Sequence, residues 1–540
     1  MGLRSRLVVS KNDNSLADGI ESNRDLDPVP LDSPRRTWTW PSLLGFWVAE
    51  AFAISMYQVS SSSVTKGLNP GLSILAVLVG HILVCIPAML NGFGMRGSYF
   101  AVFVRGVVAM IWFGTQSYQG GQCLQSMISA IWPSFNHFPN RLPESANVTS
   151  AELLCFFLFI IVQLPLLYLK VSTLRYMFMA KTIVMPIFGL TLFIWAVVGA
   201  RGFGPTFSKP THIKDGTPVV VVFFQCVTAA IGPKATLALS KDPPLCSQLN
   251  VCRVFADSPE DMPDFTRYAK RPRDVFWTQS VGLIVLVTLC GALGAVVSSA
   301  TEVIYGKVTW NSLEVSTLWN NRAAQFFSGL CWAFAVIGTN ISANSVSFSN
   351  DLSLWFPKYI NARRGAYVCC LLSVAATPWN IQNSAKSFTS FLGGYVLFLG
   401  ALTGPIIADF WICRKRQFSL RSLYTAHGTH YFTRGFNIRA IIAFLCGIAP
   451  NLPGLADVCG AVGIPAGAKY LYSLSWCVSI IVSGVVYWVL YKLWPFPVEE
   501  RERYLVGVDT SDGPPGISDS ETYGGKEGDS IANATDKSLF

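Results

Sequence analysis

Twelve apolar stretches, each near the length of a bilayer-crossing helix, dominate this 540-residue chain. They cover roughly 40–63, 70–91, 104–132, 153–169, 182–200, 217–239, 277–299, 324–348, 365–379, 388–412, 439–456 and 469–493. A helix needs about 20 residues to cross the ~30 Å hydrocarbon layer. In that layer each backbone N–H and C=O must be paired within the protein, which leaves helices as the natural solution for such runs. Charged residues are 13% of the chain, against about 25% in an ordinary soluble domain. A soluble multidomain enzyme is excluded. The expected fold class is an all-α polytopic membrane protein with the lipid bilayer as its solvent.

The charges mark topology. The net charge is +10, but basic residues of membrane proteins gather in cytosolic loops, so nucleic acid is not an expected partner. The loop before the eleventh stretch carries Arg414, Lys415, Arg416, Arg421, Arg434 and Arg439 without an acid. The loop after the third holds the sequon Asn147-Val148-Thr149, a glycosylation candidate only on the outer side. Both termini are therefore expected in the cytosol. Residues 1–38 read as a cytosolic segment, 39–495 as a twelve-helix domain, and 496–540 as a disordered acidic tail. In that tail Lys526 and Lys537 are candidate modification sites, where ubiquitination and trafficking machinery would act. Nine of the 14 cysteines, among them Cys290, Cys369 and Cys446, fall in apolar stretches and read as small buried hydrophobes.

Polar side chains inside a span are costly and so point to function. Trp112 and Gln116 stand at i and i+4, which sets an aromatic face and an amide on one side of a helix. They could stack on a flat heterocycle and bond its edge, or serve only in packing. Asn340 and Asn344 repeat the spacing; their amides suit a lactam or imide, or alternatively bond helix to helix. Gly232-Pro233 is expected to interrupt the sixth stretch beside Lys234, which would then contact substrate or coupling ion, or snorkel to the interface. Glu50 is the clearest mid-span carboxylate and a candidate proton carrier. His81 reads as a satisfied core residue, and Asp409 as the partner of a nearby arginine. No phosphate loop, metal-binding histidine pair or serine elbow appears, which disfavours an enzyme.

Several motifs resemble one family. Asn23-Arg24-Asp25-Leu26-Asp27-Pro28-Val29-Pro30, Trp112 to Gln116, Gly232 to Leu239, Pro263-Asp264-Phe265-Thr266-Arg267-Tyr268, and Gly338 to Asn344 are similar to the nucleobase-cation-symport-1 family in its fungal uracil, uridine and allantoin permease branch. The resemblance implies two inverted five-helix repeats plus two helices, a LeuT-like arrangement. It implies Trp112 as stacking platform and Gln116 and Asn344 as hydrogen-bonding residues; the spacing of Asn340 and the place of Lys234 beside Gly232-Pro233 add these two to the expected substrate set. It also implies Glu50 and Lys234 in coupling. The positions that line a sodium ion in a bacterial relative would be Ala335, Gly338 and Thr339. Gly338 offers no side-chain oxygen, which favours a proton, and no cofactor is implied.

One departure stands out. Residues Ser240 to Met262 separate two motifs that the family runs nearly together. The codons AGT-AAG for Ser240-Lys241 would contain an intron-like donor, so 240–262 is expected to be a retained intron. The function expected is proton-coupled import of uracil, allantoin or a related nucleobase-like heterocycle at the plasma membrane. The alternatives are a same-fold permease for uridine or thiamine, and a non-transporting nutrient sensor.

Overall fold

A computed structural model describes residues 8–9, 36–89, 97–169, 171–203, 207–208, 210–213, 216–235, 269–415 and 436–496. Hydropathy decides where these residues point. Ile183, Ile187, Leu190, Ile194 and Val198 form a helical stripe and are 52–71% exposed, while Ser60, Gln58, Asn340 and Ser342 are fully buried. Apolar side chains outward and polar ones inward is the inverse of a water-soluble bundle, and fits a chain solvated by lipid. Among the described residues, seven helices are long and apolar enough to cross a membrane, or eight if one bent pair counts as a single span.

Helices overlie each of the predicted stretches. The first is a pair, α1 (Trp40–Ala51) and α2 (Ile54–Thr65), bent by 44°. Then come α3 (Pro70–Met89), α4 (Gly97–Ile131), α5 (Ser150–Gln163), α6 (Val171–Gly199) and α7 (Val219–Ala235). Next, α8 (Pro272–Val281) runs through a π-helical turn into α9 (Val287–Tyr305). The short α10 (Ser312–Thr317) precedes α11 (Arg322–Thr339), which passes through a π-helical segment, Asn340–Val346, into α12 (Ser347–Trp355). After α13 (Ala362–Val374) and α14 (Pro378–Gln382), α15 (Ala385–Ile407) continues into a further π turn. The last described helices are α16 (Ile438–Ile448), α17 (Leu452–Val458), α18 (Ala466–Tyr472) and α19 (Ser475–Leu493).

The break between α1 and α2 falls at Phe52 and Ala53, neither glycine nor proline. Packing makes it. Ser60 donates to the carbonyl of Gly291 on α9, and Cys290 Sγ lies 3.8 Å from the Ala53 carbonyl. A Cβ on Gly294 would fall 2.3 Å from the Tyr57 carbonyl oxygen, so only glycine lets α2 approach α9 so closely. Ser62 and Ser63 return their hydroxyls to the Val59 carbonyl at 2.8 and 3.1 Å, which satisfies a polar run held away from water.

Two expectations are corrected. Gly232-Pro233 does not end its helix: α7 continues through Pro233 to Ala235. Proline removes one N–H and crowds the carbonyl four residues back, but so near the last described turn it costs a single bond. Cys446 is exposed rather than buried, because α16 turns that face outward beside Ile442 and Leu445. Residues 240–262, the tail beyond 496, and most of 1–38 lie outside the described residues.

Candidate functional site

Glu50, on the last turn of α1, is 2% exposed. Its Oε2 lies 3.5 Å from Lys234 Nζ of α7, and its Oε1 accepts from Ser342 Oγ in the π-helical segment. Lys234 is 6% exposed. It therefore turns inward to the carboxylate and does not snorkel. One buried ion pair thus ties α1, at its break, to α7 and to the α11–α12 span. Such pairs are costly to bury and are strongly destabilised when one partner is removed.

A third charge joins this layer. Lys181, on α6, is fully buried, and its Nζ donates to the Ala335 carbonyl at 2.8 Å and to Thr339 Oγ1 at 2.6 Å. A Cβ on Gly338 would stand 3.1 Å from Lys181 Cδ, so the glycine makes room for the side chain. Thr339 Oγ1 also lies 3.4 Å from the Ala49 carbonyl, which places the lysine one hydrogen bond from the residue before Glu50. The three positions expected to line a cation thus surround an ammonium belonging to the protein. Sequence reasoning missed Lys181 because it set the fifth stretch to begin at 182. The signal was present: one lysine with apolar residues on both sides, in a helix that begins at Val171.

Around Trp112 the site is aromatic. Its indole N–H donates to Tyr395 Oη at 3.2 Å. Phe388 and Phe391 of α15 meet it edge to face at 6.3 and 5.8 Å, and Trp310 lies 5.9 Å from Phe388. Such contacts set ring orientation as well as burying area. Gln116, one turn on, is 5% exposed, and its Oε1 is buried with no partner among the described residues.

The two asparagines separate. Asn340 Nδ2 lies within hydrogen-bond distance of the Phe113 carbonyl, Ser117 Oγ and Gln163 Oε1, at 3.2, 3.0 and 2.9 Å. Its Oδ1 accepts from Asn344 Nδ2 at 2.9 Å. Asn340 is spent on α4 and α5, as interhelical bonding requires, and it orients Asn344. The π-helical segment carries both, and such segments recur at functional sites.

Other singled-out residues make local contacts. His81 is buried with Nδ1 2.8 Å from the Val77 carbonyl. Asp409 pairs with Arg414 Nε at 2.9 Å and accepts from Tyr487 Oη at 2.8 Å. Asn147 is exposed, in the left-handed region at φ 54°. Its amide bonds Asn380 and Asn383 at 3.2 and 3.4 Å, while Thr149 caps α5 with Glu152. A second buried ion pair, Arg105 Nε to Asp351 Oδ2 at 2.8 Å, joins α4 to α12 and was also missed, since those residues sat at or beyond the expected ends of their stretches.

Comparison with known proteins gives the family and the fold. The allantoin permease of Saccharomyces cerevisiae is 30% identical over 524 residues, covering 91% of this chain and 79% of that protein. The uridine permease of the same yeast is 31% identical over 500 residues, covering 88% and 75%. Among solved structures, Mhp1, a nucleobase-cation-symport-1 family transporter in a closed conformation with bromovinylhydantoin bound, superposes with a TM-score of 0.62 at 19% identity, over 89% of this chain and 97% of that one. Its inward-facing conformation gives a TM-score of 0.63 at 18% identity, over 90% and 96%. These two likenesses concern the fold. The family model for permeases of cytosine/purines, uracil, thiamine and allantoin matches residues 28–242 and 251–479, most of the chain. The chain belongs to this permease family, the nucleobase-cation symporters, and is a membrane transporter rather than an enzyme.

Proposed function

We propose that this permease imports uracil, allantoin or a related nucleobase-like heterocycle together with a proton, by alternating access at the plasma membrane. In this reading the twelve helical stretches all cross the membrane, as two inverted five-helix repeats plus two helices, with both termini cytosolic. The ring stacks on Trp112, Gln116 and Asn344 bond its edge, and the Phe388–Phe391–Tyr395 wall closes over it. Glu50 carries the proton. Protonation removes the charge that holds Lys234, so the tie between α1 and α7 loosens when the proton is on and re-forms when it leaves. A ligand drives such a change only by binding the two states unequally.

The observation that carries the coupling claim is Lys181 on Ala335 and Thr339. An ammonium in that place supplies the positive charge a metal cation would bring, and leaves Glu50 as the group that exchanges an ion. Radiolabelled uracil and allantoin uptake in cells expressing the chain tests the substrate class. Saturable uptake of one, inhibited by the other and lost in a surface-expressed Trp112→Ala variant, is expected. Uptake of neither, or normal uptake by that variant, would overturn it.

A further inference from the structure

The inward face of α4 does not stop at Gln116. Trp112, Gln116 and Gln119 stand at i, i+4 and i+7, one stripe of a helix, and all three are buried. Gln119 Nε2 donates to Gln58 Oε1 at 2.8 Å, and Gln58 Nε2 donates to Gln382 Oε1 at 3.1 Å. Gln58 is fully buried on α2, the half-helix beyond the break, and Gln382 ends α14. This chain of amides holds the Gln119 side chain, and in it Nε2 of Gln119 is the atom that is spent, while Gln382 Nε2 at the far end has no partner among the described residues. Gln119 Oε1 is buried and has no partner among the described residues, and the same holds for Gln116 Oε1. Buried carbonyl oxygens without donors are costly, and here two occur on neighbouring turns, about 5–6 Å apart at Cβ.

Two acceptors so placed, with an indole one turn before them, match a ligand whose N–H groups are spread beyond a single ring. A bare imide offers its donors within the ring, close to one acceptor. A ureido arm carries further N–H groups away from the ring by about the length of that turn.

We propose that Gln119 is a specificity-determining residue, accepting a hydrogen bond from an N–H on a substituent of the ring held at Trp112 and Gln116. The preferred substrate is then a planar cyclic ureide bearing a ureido arm. This rests on the site reading given under Proposed function.

Hydantoin and allantoin share one ring and differ by the ureido arm, so they form a matched pair. Titration of the purified full-length protein, followed by tryptophan fluorescence, gives dissociation constants for hydantoin, allantoin and uracil. Wild type is expected to bind allantoin about tenfold or more tighter than hydantoin, as a site built for an N–H discriminates against a ligand lacking it. Gln119→Leu is expected to erase that ratio by weakening allantoin while hydantoin changes less than about threefold. Gln382→Leu, which leaves the Gln119–Gln58 bond in place, is expected to keep the ratio. Should Gln119→Leu fail to fold, Gln119→Asn, whose amide is withdrawn by one carbon, is expected to show the same loss. Uracil binding without a preference for allantoin over hydantoin, or equal weakening of both ligands in the Gln119 variants, overturns this proposal alone. Binding of none of the three by wild type overturns the site reading beneath it.

Discussion

Lys181 Nζ lies 2.6 Å from Thr339 Oγ1, and the same ammonium donates to the Ala335 carbonyl at 2.8 Å. An amine of the protein therefore sits on the oxygens that the family resemblance assigns to a cation. The missing side chain at Gly338 makes room for the lysine stem, and Thr339 Oγ1 lies 3.4 Å from the carbonyl of Ala49, the residue before Glu50.

Substituting Lys181 with Met keeps the aliphatic stem and removes the three donors. The Ala335 carbonyl and the Thr339 hydroxyl each lose a bond to a charged donor, worth about 1.5–3 kcal/mol, and keep their bond to each other at 3.2 Å. Surface-expressed Lys181→Met is expected to lose transport at least about tenfold, an effect of ~1.4 kcal/mol or more. Uptake assays paired with surface biotinylation check this.

Glu50→Gln preserves the side-chain shape and its capacity to accept from Ser342, but it cannot exchange a proton. The variant is expected to bind substrate and to catalyse exchange across the membrane without concentrating it. Lys234 is left as an uncompensated buried charge, which costs about 3–5 kcal/mol when a buried pair is broken, so its melting temperature falls. Adding Lys234→Met to Glu50→Gln is expected to recover most of that loss, without recovering accumulation. Thermal melts and counterflow measurements separate the two effects.

Asn340 and Asn344 should respond differently. Asn340→Ala removes an amide engaged by α4 and α5 and is expected to lower stability by about 2–3 kcal/mol, since several buried groups lose partners together. Asn344→Ala is expected to raise KM with a smaller loss of stability. Melting temperatures and uptake kinetics of the two variants make the comparison.

Gly294→Ala would push a methyl group to 2.3 Å from the Tyr57 carbonyl. The close approach of α2 to α9, which holds the break in the first span, cannot survive it. Destabilisation of about 1–3 kcal/mol is expected, as for other overpacked sites, together with lost transport. Gly467→Ala, with open space around it, serves as the silent control in the same thermal assay.

The bundle was legible in the sequence because lipid selects for it residue by residue: the stripe from Ile183 to Val198 reads the same in sequence and in space. The Trp112–Gln116 and Asn340–Asn344 pairs were legible because helical periodicity carries them. The break at Phe52–Ala53 was not. Its cause is the contact of α2 with Gly291 and Gly294, more than 200 residues away, and no local propensity announces it. Pro233 misled for the opposite reason, a strong local signal that the packing of α7 overrides. Lys181 was hidden by a boundary, since a charge beside an apolar run reads as its edge until the whole helix is seen.

Purified protein in liposomes, loaded with an imposed proton gradient or an imposed sodium gradient, tests the central claim most directly. Radiolabelled substrate is expected to accumulate under an inward proton gradient, to collapse with a protonophore, and to ignore sodium. Accumulation driven by sodium, or uptake indifferent to the proton gradient, would contradict an account in which Lys181 fills the cation position and Glu50 carries the ion.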